Sequence, residues 1–133
     1  MSLVSGLLPY RPLMLVVLLA ILAPGPSLYG QNEGQGKLDE ATDRKIDAQT
    51  PADLAKVIEL CEQAIQEGLD QGNTQIAKQL LSASALQRAQ MLVQQLPQLA
   101  KNPNAVRRLR RMTMSDLEKA IENNPELADA YLL

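Results

Sequence analysis

Few residues in this chain could do chemistry. There is no histidine and one cysteine, Cys61, which removes imidazole acid–base catalysis and imidazole metal ligation at the outset. A reactive thiol needs an electropositive, partly exposed setting. Cys61 instead has Glu59 and Glu62 beside it and falls on an apolar helical stripe, so it reads as a small core residue. No glycine-rich phosphate loop, serine-centred nucleophile motif or cysteine pair occurs. The carboxylates Glu118 and Glu122 stand at helical spacing, but on the side away from the apolar stripe, as solvated surface. No catalytic residue, metal ligand or cofactor site is expected, and the chain reads as a non-enzyme.

The charge pattern is more informative. From Gln71 to Ser115 there is no acidic residue, while Lys78, Arg88, Lys101, Arg107, Arg108, Arg110 and Arg111 all lie in that span. Arg107, Arg108, Arg110 and Arg111 form a candidate patch for an anionic partner. The competing reading is a solvated face, or pairing with Glu59, Glu62 and Glu67 of an earlier helix. No aromatic residue stands nearby to stack a base, so nucleic acid is not the expected partner.

These residues must be positioned by helices. Hydrophobic residues make up 46% of the chain but aromatics only 2%, with no Phe and no Trp. The core must therefore be built from Leu, Ile, Val, Ala and Met, and abundant Ala, Leu and Gln favour helix. No segment beyond the N-terminus alternates as a strand does. The expected class is all-α.

Leu13–Ala23 is an uninterrupted apolar run of eleven residues, preceded by Arg11 and followed by Pro24-Gly25-Pro26. That is the plan of a secretory signal, and it falls short of the roughly 20 residues a spanning helix needs. Residues 1–30 are read as a signal peptide cleaved after Gly30, giving an exported (periplasmic or secreted) protein. The alternative is an uncleaved anchor that tethers a helical spacer to the membrane. Only Arg11 is charged before Gln31, so the remainder carries a net charge of −3. Residues 31–49 are polar and glycine-containing, and are read as a flexible linker.

The domain is placed at residues 51–133. Thr50-Pro51, Asn102-Pro103 and Asn124-Pro125 each set a capping side chain ahead of a proline, a helix-starting device; Asp53 comes close to completing a capping box with Thr50. The first helix is expected over Pro51–Glu67, with Leu54, Val57, Ile58, Cys61 and Ile65 on one stripe. The second runs from about Thr74 to Leu96, after a turn at Asp70-Gln71-Gly72-Asn73. Its two apolar tracks, Ile76/Leu80/Ala83 and Leu81/Ala85/Ala89/Leu92/Leu96, imply packing against more than one neighbour. After a loop at Gln98–Lys101, the third spans Pro103–Asn123, with Val106, Leu109, Thr113, Leu117 and Ala120 on one side. Leu127, Ala130 and Tyr131 open a fourth.

The stretch from Asp116 to Leu133 resembles the junction between two tetratricopeptide repeats. A small residue late in one helix, a proline five residues later and an aromatic six beyond it are supplied by Ala120, Pro125 and Tyr131. The likeness covers residues 116–133; residues 51–96 form a helical hairpin without the repeat's fixed pattern, and the second helix is long for a 34-residue repeat. The resemblance implies an antiparallel hairpin followed by tetratricopeptide-like helices, a solenoid fragment that binds another protein or peptide. Helical repeats bury their faces by stacking, and the chain ends on apolar Tyr131-Leu132-Leu133. It is therefore read as the front end of a longer repeat protein. Its third helix would hold its stripe ready for further repeats, with self-association as another way of covering it.

The signal reading has a direct check. Exported material should begin near Gln31 on N-terminal sequencing and lack Leu13–Ala23. Intact Met1 recovered in an alkali-washed membrane fraction would instead establish the tether.

Overall fold

A computed structural model describes residues 33–127 of the chain. Among the described residues there are four α-helices, α1 (Gln35–Asp47), α2 (Pro51–Glu67), α3 (Gln71–Gln95) and α4 (Pro103–Asn123), with a 3₁₀ turn at Leu96–Leu99 and no strand. The signal segment and Tyr131 lie outside the described residues.

The starts of α2 and α4 follow from their caps. Thr50 Oγ1 accepts from Asp53 N at 3.2 Å, and Asp53 Oδ2 accepts from Thr50 N at 2.9 Å, closing a capping box. The Thr50 hydroxyl, then the backbone N–H groups of Thr50 and Gln49, hold the Asp53 carboxyl below its usual range. Asn102 Oδ1 accepts from Ala105 N at 3.1 Å at the head of α4. The turn expected at Asp70–Asn73 is instead the first turn of α3. Asp70 Oδ1 accepts from Asn73 N at 2.8 Å, so the cap lies four residues upstream of Thr74 and the helix begins at Gln71.

Residues 31–49 were expected to be a linker, and this is corrected: Gln35–Asp47 is helix α1. Only two side chains, Leu38 and Ala41, are buried by it, too sparse a stripe to stand out among charged neighbours, and Ile46 is 79% exposed. What orders α1 is docking. Gly34 N donates to Gly68 O at 3.1 Å, tying the head of α1 to the tail of α2, while Gly34 O accepts from Leu38 N at 3.1 Å and closes the first turn of α1 itself. Along the exposed side, Gln35 bonds Asp39 and Arg44 pairs with Glu40 at helical spacing. Near its far end Lys45 Nζ donates to Gln87 of α3.

The helices pack in sequence. α2 lies on α1, α3 on α2 and α4 on α3, with a lesser α1–α3 contact and no more than marginal contact between α1 and α4. This is an open array rather than a closed four-helix bundle. α3 touches each of the other three, as its broad apolar surface implied. Its second track is buried at Leu81, Ala85, Ala89 and Leu92, but the first is not as expected. Ile76 is 51% exposed and Ala83 is exposed, while Ala77, Ser84 and Leu86 are buried in their place. On α4, Leu109, Thr113, Leu117 and Ala120 are buried. That stripe is already covered by α3 and does not wait for further repeats.

The core joins Ala41 of α1, Val57, Ile58, Leu60 and Cys61 of α2, Leu81, Ala85, Leu86 and Ala89 of α3, and Leu117 and Ala120 of α4. Ala41, Ala64, Ala77, Ala85, Ala89 and Ala120 are all 0% exposed, so every helix buries at least one methyl-sized side chain, which allows neighbouring helices to approach closely. Cys61 is fully buried, and loss of solvation, with Glu62 alongside, pushes its thiol up to about 12. It stays protonated at neutral pH.

The α1–α2 junction gives a sharp contrast between two glycines. A Cβ on Gly34 would collide with the Ala64 carbonyl and lie 2.9 Å from Gly68 O, whereas one on Gly36 would meet nothing within 4 Å. Gly34→Ala should cost about 1–3 kcal/mol in urea unfolding through overpacking against backbone. Gly36→Ala should be neutral or stabilising by up to about 1 kcal/mol. Equal behaviour of the two variants would mean that α1 is not docked as described.

Candidate interaction surfaces

Two surfaces can be built from these helices. The first is a groove between α2 and α4 over α3. Glu62, Ile65 and Gln66 come from α2, Leu81 from the floor, and Ser115, Glu118, Lys119, Glu122 and Asn123 from α4. α2 and α4 are the second and fourth helices of an antiparallel series, so they run the same way and expose matching walls. Lys119 Nζ is ion-paired with Glu62 across the groove. Glu118 and Glu122 take part in no ion pair among the described residues. Three carboxylates against one ammonium, beside the half-buried Ile65 and over the buried Leu81, make a trough that favours a basic ligand.

The second surface is the outer arc of α4. Arg107, Arg108, Arg110 and Arg111 are all exposed, and three of them line a surface depression with Asn102, Asn104 and Ala105. Of the two competing readings, a solvated face or pairing with α2, no pairing of these arginines with α2 is found among the described residues. Glu62 is taken by Lys119, and Glu59 lies 3.1 Å from Lys56 on its own helix. None of the four arginines forms an ion pair among the described residues. They cannot all face α2, because consecutive pairs point about 100° apart on a helix.

The repeat-motif residues are placed in part. Ala120 is fully buried on the α3-facing side of α4, and its carbonyl accepts from Asn124 N at 3.0 Å. Pro125 follows, exposed, in a turn where Leu127 N donates to Asn124 O at 3.1 Å and Leu127 packs on the core edge. Tyr131 lies outside the described residues.

Sequence reasoning missed a buried charge pair. Asp116 of α4 is 2% exposed, and its Oδ2 lies 3.1 Å from Nε of Arg88 on α3. That N–H is not aimed along the line between them, so Oδ2 accepts no hydrogen bond, and Ser84 Oγ on the same helix as Arg88 is likewise buried without a partner. Burial pushes the Asp116 carboxyl up to about 6, against the opposing pull of Arg88 and Lys119. A signal for it existed. Asp116 stands seven residues after Leu109 and four before Ala120, on the apolar stripe itself.

Comparison with protein-family models, with curated proteins and with solved structures finds no match to this chain.

The raised Asp116 carboxyl sets a pH dependence whose sign can be worked out. The folded chain holds this proton up to about pH 6 and the unfolded chain only to about 3.8, so protonation favours folding. The resulting stability, on the order of 3 kcal/mol, is complete below about pH 4 and lost as pH rises to about 6. Denaturant titrations at several pH values should show the wild type losing stability relative to Asp116→Asn across that window. Parallel curves would place Asp116 in a solvated setting.

Proposed function

We propose that this chain is an exported helical scaffold, non-catalytic, that holds another protein or peptide in the groove between α2 and α4. The observation that carries the reading is the groove itself: two parallel helices form its walls, a third helix its apolar floor, and its charge is uneven. An open series of helices leaves such troughs on its surface, whereas a closed bundle fills its centre with side chains. The tetratricopeptide likeness is supported by the sequential packing, by the full burial of Ala120, and by the Asn124-Pro125 turn that follows. Export rests on Leu13–Ala23 and its flanks. The described helices contain no span long and apolar enough to cross a membrane. The non-catalytic part is supported by Cys61, a protonated thiol sealed in the core.

Photo-crosslinking in the producing cell tests this. A crosslinker replacing Gln66 or Asn123, on opposite walls of the groove, should trap the same protein. One replacing Arg44 on the far side of α1 should not. Adducts that form equally at all three positions, or at none, would remove the groove as the binding surface.

A further inference from the structure

The outer face of α4 carries a pattern that goes beyond the scaffold reading. Arg107, Arg111, Met114, Glu118 and Glu122 follow one another at steps of four, three, four and four residues, which places them on one face of the helix. That face is turned away from the buried stripe of Leu109, Thr113, Asp116 and Ala120. All five are exposed, Met114 at 57%. None of the four charged residues has an ion-pair partner among the described residues. Within its own helix the face is frustrated: Arg107 and Arg111, and again Glu118 and Glu122, are like charges one turn apart, an arrangement that weakens a helix.

The same sequence read backwards is complementary to itself. Set antiparallel to a copy of itself with Met114 opposite Ser115, the helix brings Arg107 against Glu122 and Arg111 against Glu118, twice over. We infer that α4 is a self-pairing surface: two copies of this chain dock their α4 helices antiparallel about a twofold axis at Met114–Ser115, with an apolar centre of two methionines and two ion pairs on each side. The anionic partner of the arginine face is then the acidic half of α4 in a second copy. Reciprocity is the requirement of an isologous contact, in which each residue of the patch meets the other's counterpart. Four exposed ion pairs and two methionines make a small contact, so the dimer is weak and salt-sensitive.

The test uses the full chain in sedimentation velocity over a range of concentrations at low and high salt. Wild type should show a dimer that grows with concentration and recedes with salt. R107E/R111E and E118R/E122R should each be at least about tenfold weaker in self-association, since every attractive pair becomes repulsive. Mixed together, these two variants should form a heterodimer, and R107E/R111E/E118R/E122R should recover the homodimer, which also shows that the substituted helices still fold. Met114→Cys should cross-link to itself on oxidation, while Arg107→Cys, on the order of 20 Å from its counterpart, should not. A monomer at every concentration, a dimer indifferent to the reversals, or cross-linking through position 107 rather than 114 would overturn the proposal.

Discussion

A core without Phe or Trp must obtain its contacts from nearness rather than from size, and the rest of the structure depends on that constraint. Each buried Leu, Ile or Val contributes only about 1.5–3 kcal/mol, while ordering a residue's backbone costs about 1–2 kcal/mol. The helices compensate by approaching closely at six fully buried alanines spread over all four of them. Where even a methyl group is too large, at the head of α1, the residue is Gly34, set against the Ala64 and Gly68 carbonyls. Gly68 itself turns the chain out of α2 with φ 106°, a conformation other residues avoid.

Close approach at α3 and α4 also explains why a charge pair there has consequences. Asp116 and Arg88 sit where the two helices meet, one 2% and the other 16% exposed. Such a pair adds little to net stability, because both ions are stripped of water. Any slide of α4 along α3, however, leaves one of them buried without the other, and that is far more costly than the pair is favourable. Leu86 of α3 and Leu117 of α4 lie in the same core, and the pair adds to their packing a further cost for sliding. The pair therefore makes the register unequal to its alternatives.

The elements that were legible in the sequence are those whose signals are local and dense. α2 and α4 carry a cap, a proline and an apolar stripe, and each begins and ends where those marks place it. α1 was not legible, because two buried side chains and one backbone docking contact replace a stripe, and docking is not written in any short window. On α3 the breadth of the apolar surface was readable but its phase was not: Ile76, placed on an apolar track, is 51% exposed, and Ser84, on neither track, is buried. The arginines were readable as a charge run. Their lack of partners was not, since it depends on Lys119 having taken Glu62.

What remains is how one helix divides its charges. Lys119 ties α4 to Glu62 of α2, and Asp116 sets it against Arg88 of α3; both hold the helix inward. Arg107, Arg111, Glu118 and Glu122 form no ion pair among the described residues, and like charges one turn apart weaken a helix slightly. A helix shaped only for its own stability would alternate their signs. Glu118 and Glu122 also belong to the wall of the α2–α4 groove, so the two uses of the surface overlap. If the groove binds a partner and α4 pairs with a second copy, as proposed above, the two uses compete for Glu118 and Glu122.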